Sequence, residues 1–326
     1  MAKGLLLALV RGVTVVAGVV ILTFVLLHLA PGDPATRLLG PAATDAQRAA
    51  LRQTLGLDRS LVVQLVSWAG RAVRGDFGQS IATGQPVRAM VAAAWPATAA
   101  LVIVSLVLTY LFGVAIGVWQ ATMQSRAADG VTTLVTVALN ALPGYWLALV
   151  LVMVFTYRLR WLPAFGAAGL DAEFLTPWAQ VIDRLRHATL PLLTLTLIGI
   201  GGIARFVRAS MRQVAASPFL TVACAKGLSP RRVTWRHQFR NAAVPVVTLL
   251  GLSLPALFSG TVFVEAVFAW PGVGQLMVLG VQARDYPVVM AAATISAVLV
   301  VVGNLAADLI LPFVDPRTRQ SAAGHD

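Results

Sequence analysis

Charge is scarce in this chain. Asp, Glu, Lys and Arg make up 12% of its 326 residues, against about 25% in a soluble globular domain, which excludes such a domain as the whole protein. There is one cysteine, Cys224, so neither an intramolecular disulfide nor a multi-cysteine metal site can form. The lysines are Lys3 and Lys226, and neither lies in a G-x-x-x-x-G-K-[ST] pattern. A phosphate-cradling loop is therefore absent, and any ATP hydrolysis belongs to another chain. His28, His187, His237 and His325 are scattered without His-x-x-x-His or Glu-x-x-His spacing, and there is no G-x-S-x-G elbow. Neither an enzyme nor a resident cofactor or metal is expected.

What the chain has is apolar length. Hydrophobic residues make up 58%, and several runs approach the ~20 residues that cross a bilayer core. The runs are long and continuous, unlike the short alternating segments of a transmembrane barrel. The expected fold is all-α, a polytopic transmembrane helical bundle of about six spans. Span 1 falls at about Val10–Leu29, after Lys3 and Arg11. Its length, and Pro31-Gly32-Asp33-Pro34 where a cleavage site would stand, make it a retained span. Spans 2 to 6 are expected over about Ala97–Trp119, Val131–Tyr157, Ala188–Ala204, Ala243–Phe268 and Val288–Leu311. Pro143-Gly144 predicts a kink in span 3, Pro191 breaks span 4, and Pro245 and Pro255 lie in span 5.

Residues 31–95 are too long and too charged to stay in lipid, and they carry helix signals of their own. Thr44-Asp45-Ala46-Gln47 is a capping box opening a helix that ends before Gly56. Ser60 starts a second, with Leu61, Leu65, Trp68 and Ala72 on one face and Gly75 at its end. A Gly-rich loop follows. The expected organisation is residues 1–30 as N-terminus and span 1, 31–95 as a small helical extracytoplasmic subdomain, 96–319 as the transmembrane core, and 320–326 as a tail. Six spans put both termini on one side. The basic stretch 205–241 marks that side as cytoplasmic, because retained Lys and Arg set topology.

That stretch holds eight cations, Arg205, Arg208, Arg212, Lys226, Arg231, Arg232, Arg236 and Arg240, and no acid. Ser217-Pro218 reads as N-cap and first helical residue, Gly227 as the residue past a helix end, and Ser229-Pro230 as a second start. A helix over Pro218–Lys226 is predicted, about 13 Å long at 1.5 Å per residue. Two readings stand side by side. The stretch can be a topology determinant on anionic lipid, or Phe219, Leu220, Val222 and Ala223 can fill a groove on a partner. Nucleic acid is not expected despite the net charge of +12, because interleaved surface aromatics are missing.

Ionisable residues within spans are few. Glu265 near one end of span 5 is either interfacial or cavity-lining, while Asp308 and His28 read as interfacial. The prolines and glycines inside spans suit a mobile pore lining and ordinary membrane helices equally.

Thr221-Val222-Ala223-Cys224-Ala225-Lys226-Gly227-Leu228-Ser229, followed by Arg236-His237-Gln238-Phe239-Arg240-Asn241-Ala242 and Pro245, resembles the EAA loop of a known family. That family is the inner-membrane permease subunits of binding-protein-dependent ABC importers, in their oligopeptide/dipeptide/nickel branch. Pro31–Pro34, Gly75-Asp76-Phe77-Gly78, Phe268–Gly274, Asp285–Val289 and Asp315–Arg319 match in consistent order along the chain. The resemblance implies a type I ABC importer permease fold in the bacterial cytoplasmic (inner) membrane, with both termini cytoplasmic. It implies a second, different permease, two ABC ATPases carrying the ATP and Mg, an extracytoplasmic solute-binding protein, and surrounding membrane lipid. Peptides are the expected substrate class, with nickel and glutathione-like solutes also carried by the branch. Phe219, Leu220, Thr221, Val222, Ala223, Ala225, Lys226 and Gly227 would form the ATPase-coupling helix. Ser217, Ser229, Arg231, Arg232, Arg236, Arg240 and Asn241 would flank it, and Glu265, Pro143 and Pro255 are candidates for a pathway or gate. The chain departs from the general loop pattern at Thr221, Val222 and Ala223, in place of Glu, Ala and Ala, and at Arg240, in place of Pro. An acidic docking contact therefore does not carry over to Thr221.

Overall fold

A computed structural model of the chain describes residues 2–30, 34–40, 42–123 and 125–314. Among them the chain runs α1 (Ala2–Leu29), α2 (Pro34–Leu39), α3 (Asp45–Leu55), α4 (Leu61–Ala72) and α5 (Val87–Thr122). It continues with α6 (Arg126–Ala141), α7 (Gly144–Leu151) leading into a π-helical turn (Val152–Arg158), and α8 (Pro177–Ala215). Then come α9 (Pro218–Ala225), α10 (Pro230–Arg232), a second π turn (Val233–Phe239), α11 (Arg240–Val267), α12 (Val273–Ala283) and α13 (Tyr286–Val314). The motifs at Pro31–Asp33 and Asp315–Arg319, the tail 320–326, and the side chains of Pro255 and Asp308 lie outside the described residues.

Four helices are long and apolar enough to cross a membrane: Leu7–Leu29, Val87–Thr122, Pro177–Ala215 and Tyr286–Ala306. The bent pair Ala127–Ala141 and Gly144–Arg158 makes a fifth, and α11 runs for 28 residues through the stretch expected as span 5.

Several expectations need correcting. The kink at Pro143 is a 105° turn between two helices. Proline forces the residue before it out of helical geometry, and Leu142 has ψ 135° while Pro143 itself has ψ 130°, so two consecutive residues are extended. Pro191, by contrast, breaks nothing. It sits inside the 39 residues of α8, buried beside His187, Leu190 and Thr194, where packing from both sides holds the helix direction. α8 also begins eleven residues before the expected span, at Pro177 behind the N-cap Thr176, and continues to Ala215. Between the stretches expected as spans 2 and 3, α5 continues to Thr122 and α6 already begins at Arg126, where the Ser125 hydroxyl caps it by accepting from the Ala128 N–H at 3.4 Å. α12 was not anticipated.

The chain divides into two compact units. The first comprises residues 1–99 and 269–301. The capping box forms as read: the Gln47 N–H donates to Thr44 Oγ1 at 3.3 Å, and the Thr44 N–H to Gln47 Oε1 at 2.9 Å. On α4, Leu65, Trp68 and Ala72 face a core with Phe24, Leu27, Val289 and Met290, while Leu61 is exposed. A second cluster joins Val87 and Val91 to Val273, Val288, Ala291 and Ala292. The deciding polar residue is Asp285, 2% exposed. Its carboxylate accepts from the Ser80 hydroxyl, from the Ile81 N–H at 3.1 Å and from the Ala82 N–H at 3.2 Å. It also caps α13 through the Val288 N–H at 3.4 Å. The Trp270 indole donates to the Ala97 carbonyl (3.1 Å), and the Val273 N–H to Thr98 Oγ1 (2.8 Å).

The second unit comprises residues 100–268 and 302–326, and α8 is its spine, packed on α6, α7 and α11. Lipid offers no hydrophobic drive between helices, so close approach of backbones matters. Gly113 and Gly117, spaced four apart on α5, face Ile203, Ala204 and Val207 of α8. A Cβ on Gly117 would lie 2.6 Å from the Ala204 carbonyl oxygen, and one on Gly201 would meet the Thr136 carbonyl of α6.

Replacing Gly117 by Leu is expected to destabilise the purified protein by about 1–3 kcal/mol through overpacking. Gly130→Ala, at a helical position with open space around it, is expected to stabilise by about 0.5–1 kcal/mol. Thermal unfolding of the two variants in the same detergent checks the opposite signs.

Candidate functional site

The basic stretch folds much as its punctuation predicts. Ser217 is extended (φ −78°, ψ 137°), Pro218 starts α9, and the helix runs eight residues to Ala225. Lys226 closes it, and Gly227 takes φ +74°, the left-handed region that favours glycine. Its N–H donates to the Cys224 carbonyl at 3.0 Å. Ser229 is again extended ahead of Pro230. The serines hold the predicted N-cap conformation, but neither hydroxyl makes a capping hydrogen bond. Beyond Pro230 the chain passes through the π turn into α11 with no further break.

Helical spacing splits α9 into two faces. Leu220 and Ala223, 5% and 6% exposed, pack on Val233 with Val214 and Leu228 alongside. Phe219 and Val222 point outward, 44% and 53% exposed, with Thr221, Cys224, Ala225 and Lys226 also exposed. Of the four apolar residues read as groove-filling, two are thus committed to the chain's own core. The π turn is tied to α8 by the Gln238 amide, which donates to the Met211 carbonyl at 2.9 Å. The Ser210 hydroxyl bonds the Ala242 carbonyl at 2.9 Å, and Asn241 bonds the His237 carbonyl at 2.7 Å. Arg231, Arg232, Arg236 and Arg240 are exposed, and Trp235, 49% exposed, meets Phe239 edge-on at 5.4 Å.

The eight cations are not equivalent. Asp129, near the start of α6, accepts from Arg208 at 2.5 Å and Arg212 at 2.9 Å. Arg205 bonds the Gly201 carbonyl within α8. Lys226 and the four arginines after it form no ion pair among the described residues. Sequence reasoning missed this clamp, although a signal was present: Asp129 is the one acid between Asp76 and Asp171.

The pathway candidates separate. Glu265 is completely buried within the second unit. Pro143 stands at the 105° turn, and the side chain of Pro255 lies outside the described residues. His28 is held by the Phe24 carbonyl (2.8 Å) and Gln64 Oε1 (3.3 Å) and stacks near Phe24 and Tyr286. Among the described residues no group of three or more His, Cys, Asp or Glu could hold a metal ion.

Residues 113–320 match the family described as "Binding-protein-dependent transport system inner membrane component", and residues 1–102 match its N-terminal companion. The chain belongs to this family. It is a membrane permease component of a binding-protein-dependent ABC importer and is not itself an ATPase. Among its relatives is the oligopeptide transport system permease protein AppB of Bacillus subtilis (strain 168), 38% identical over 97% of this chain and 99% of that one. The probable D,D-dipeptide transport system permease protein DdpB of Escherichia coli (strain K12) is 36% identical over 94% of each chain. The glutathione transport system permease protein GsiC of Escherichia coli (strain K12) is 37% identical over 92% of this chain and 93% of that one. A chain of the MetNI methionine ABC transporter, solved in inward-facing conformations, shares the fold. Its TM-score is 0.54 at 16% identity, over 71% of this chain and 98% of that one.

Asp129→Asn is expected to lower the melting temperature of the permease. In a double-mutant cycle, Arg208→Gln combined with it should lose less than the sum of the single losses, because both remove one contact.

Proposed function

We propose that this permease carries peptides or closely related solutes, and that α9 is the element through which a separate ATPase drives it. One observation carries the second part: α9 has an inner face anchored by Leu220 and Ala223 and an outer face presenting Phe219 and Val222. A helix seated on its own chain in this way transmits a push instead of absorbing it. The break at Gly227 and the extended Ser217 let it be displaced as one piece. The cations Lys226, Arg231, Arg232, Arg236 and Arg240, which form no ion pair among the described residues, would orient an ATPase surface around it. Shape and these cations, not an acidic residue at position 221, would make the contact.

Relatives named for oligopeptides, dipeptides and glutathione support the substrate class. The full assembly would include a second, different permease and two ATPases holding ATP and Mg. A solute-binding protein would dock on the side of residues 31–95. Both termini and α9 would lie in the cytoplasm, in keeping with the cation-rich 205–241 stretch. This chain would bind no cofactor itself.

Single cysteines at positions 219, 220, 222 and 223, in a Cys224→Ser background, test the reading. Positions 219 and 222 are expected to crosslink to an ATPase subunit, and the buried positions 220 and 223 not to. Labelling of 219 and 222 by lipid-borne probes without any ATPase crosslink would assign α9 to the membrane surface instead. Uptake into vesicles that persists with the ATPases inactivated would replace the ATP-driven reading with an ion-coupled one. Gly227→Val, which forces a β-branched residue into a left-handed conformation at a cost of about 1–3 kcal/mol, should weaken co-purification of the ATPase.

A further inference from the structure

The first unit contains a cavity of about 170 Å³ to which the transport reading gives no role. Its walls come from α1, α4, the turn between α3 and α4, and the start of α13. Two guanidinium groups, Arg59 and Arg71, line it together with Phe24, His28, Gln64 and Trp68. Among the described residues no carboxylate lines it. The nearby acids among the described residues are engaged elsewhere: Asp58 with Arg52 at 3.3 Å, Asp76 with the Gly78 N–H at 2.9 Å, and Asp285 with residues 80–82.

The site is built, not incidental. The Gln64 amide donates to the Leu57 carbonyl at 3.1 Å and to the Arg59 carbonyl at 2.8 Å, which pins the backbone that carries Arg59. The same amide presents its oxygen to His28 at 3.3 Å, so both ring nitrogens of His28 are occupied within the protein. Trp68 is 8% exposed, and its indole N–H has no acceptor among the described residues. Two guanidinium groups lining one cavity call for an anion with several acceptor oxygens.

Depth selects the source. The apolar stretch Leu7–Leu29 of α1 is 23 residues, roughly 34 Å at 1.5 Å per residue, so Leu29 marks one boundary of a ~30 Å hydrocarbon core. Phe24, Leu27 and His28, which line the cavity, therefore lie within about 8 Å of headgroup level. Their neighbours Leu22, Val25, Leu26 and Leu29 are exposed and apolar, as a surface touching acyl chains would be. We propose that this cavity holds the phosphate of an anionic phospholipid headgroup, with Arg59 and Arg71 on its oxygens.

The full-length permease, purified in detergent, is titrated with short-chain phosphatidylglycerol, short-chain phosphatidylcholine, glycerol phosphate and inorganic phosphate, and bound adducts are read by native mass spectrometry. Phosphatidylglycerol is expected to bind most tightly. Arg59→Gln and Arg71→Gln should each weaken it by about tenfold, the scale of a charge-assisted hydrogen bond. Arg74→Gln, an exposed cation outside the cavity, should leave it unchanged. Equal binding of glycerol phosphate, lost in the same variants, would keep the anion site but overturn its lipid source. Equal binding of phosphatidylcholine, or the same loss in Arg74→Gln, would overturn the site. None of these readings depends on α9 or on an ATPase, so the two proposals fail separately.

Discussion

The second unit depends on side chains that are not there. Between helices in a bilayer the surrounding lipid is as apolar as leucine, and association rests on how closely two backbones can approach. Gly113 and Gly117 let α5 settle against Ile203, Ala204 and Val207, and Gly201 lets α6 settle against the same helix from another side. α8 can then remain one helix from Pro177 to Ala215 despite Pro191, and it delivers Met211 and Val214 to the base of the basic stretch. The placement of α9 follows from contacts made several turns away.

At that base, charge and packing divide the work. Asp129 pairs with Arg208 and Arg212, so the C-terminal end of α8 is a pinned structure and not a loose cationic loop. The cations beyond Gly227 stay exposed, around a helix whose apolar residues are shared between its own chain and the outside. The sequence shows one block of basic residues. The fold makes it two groups, one closed and one open.

What was legible in the chain was local. The limits of α9 could be read from Ser217, Pro218 and Gly227, because extended caps and left-handed glycine are short-range geometry. The Thr44–Gln47 box was legible for the same reason. Long apolar runs revealed the spans, but not how prolines would act in them. Pro143 turns the chain through 105° because Leu142 and Pro143 are both extended, whereas Pro191 is overruled by packing on both flanks. α12, the Asp129 clamp and the burial of Glu265 all depend on partners far along the chain, and no local pattern encodes them. The division of α9 into an inner and an outer face was half legible: period 3.6 separates Leu220 and Ala223 from Phe219 and Val222, but not which pair turns inward.

Asp285 bears on how the protein is made. Its carboxylate closes on Ser80, Ile81 and Ala82 across a separation of 205 residues, and the unit it completes is assembled from residues 1–99 and 269–301. A ribosome delivers the first of these pieces well before the second. While the entire intervening bundle is synthesised and inserted, α1 and the helices after it must wait with Trp68, Val87 and Val91 still lacking their α13 neighbours. Contacts of such high sequence separation form slowly. The capping box and the short, self-limited helices α3 and α4 are features that let this early segment hold its shape during the wait.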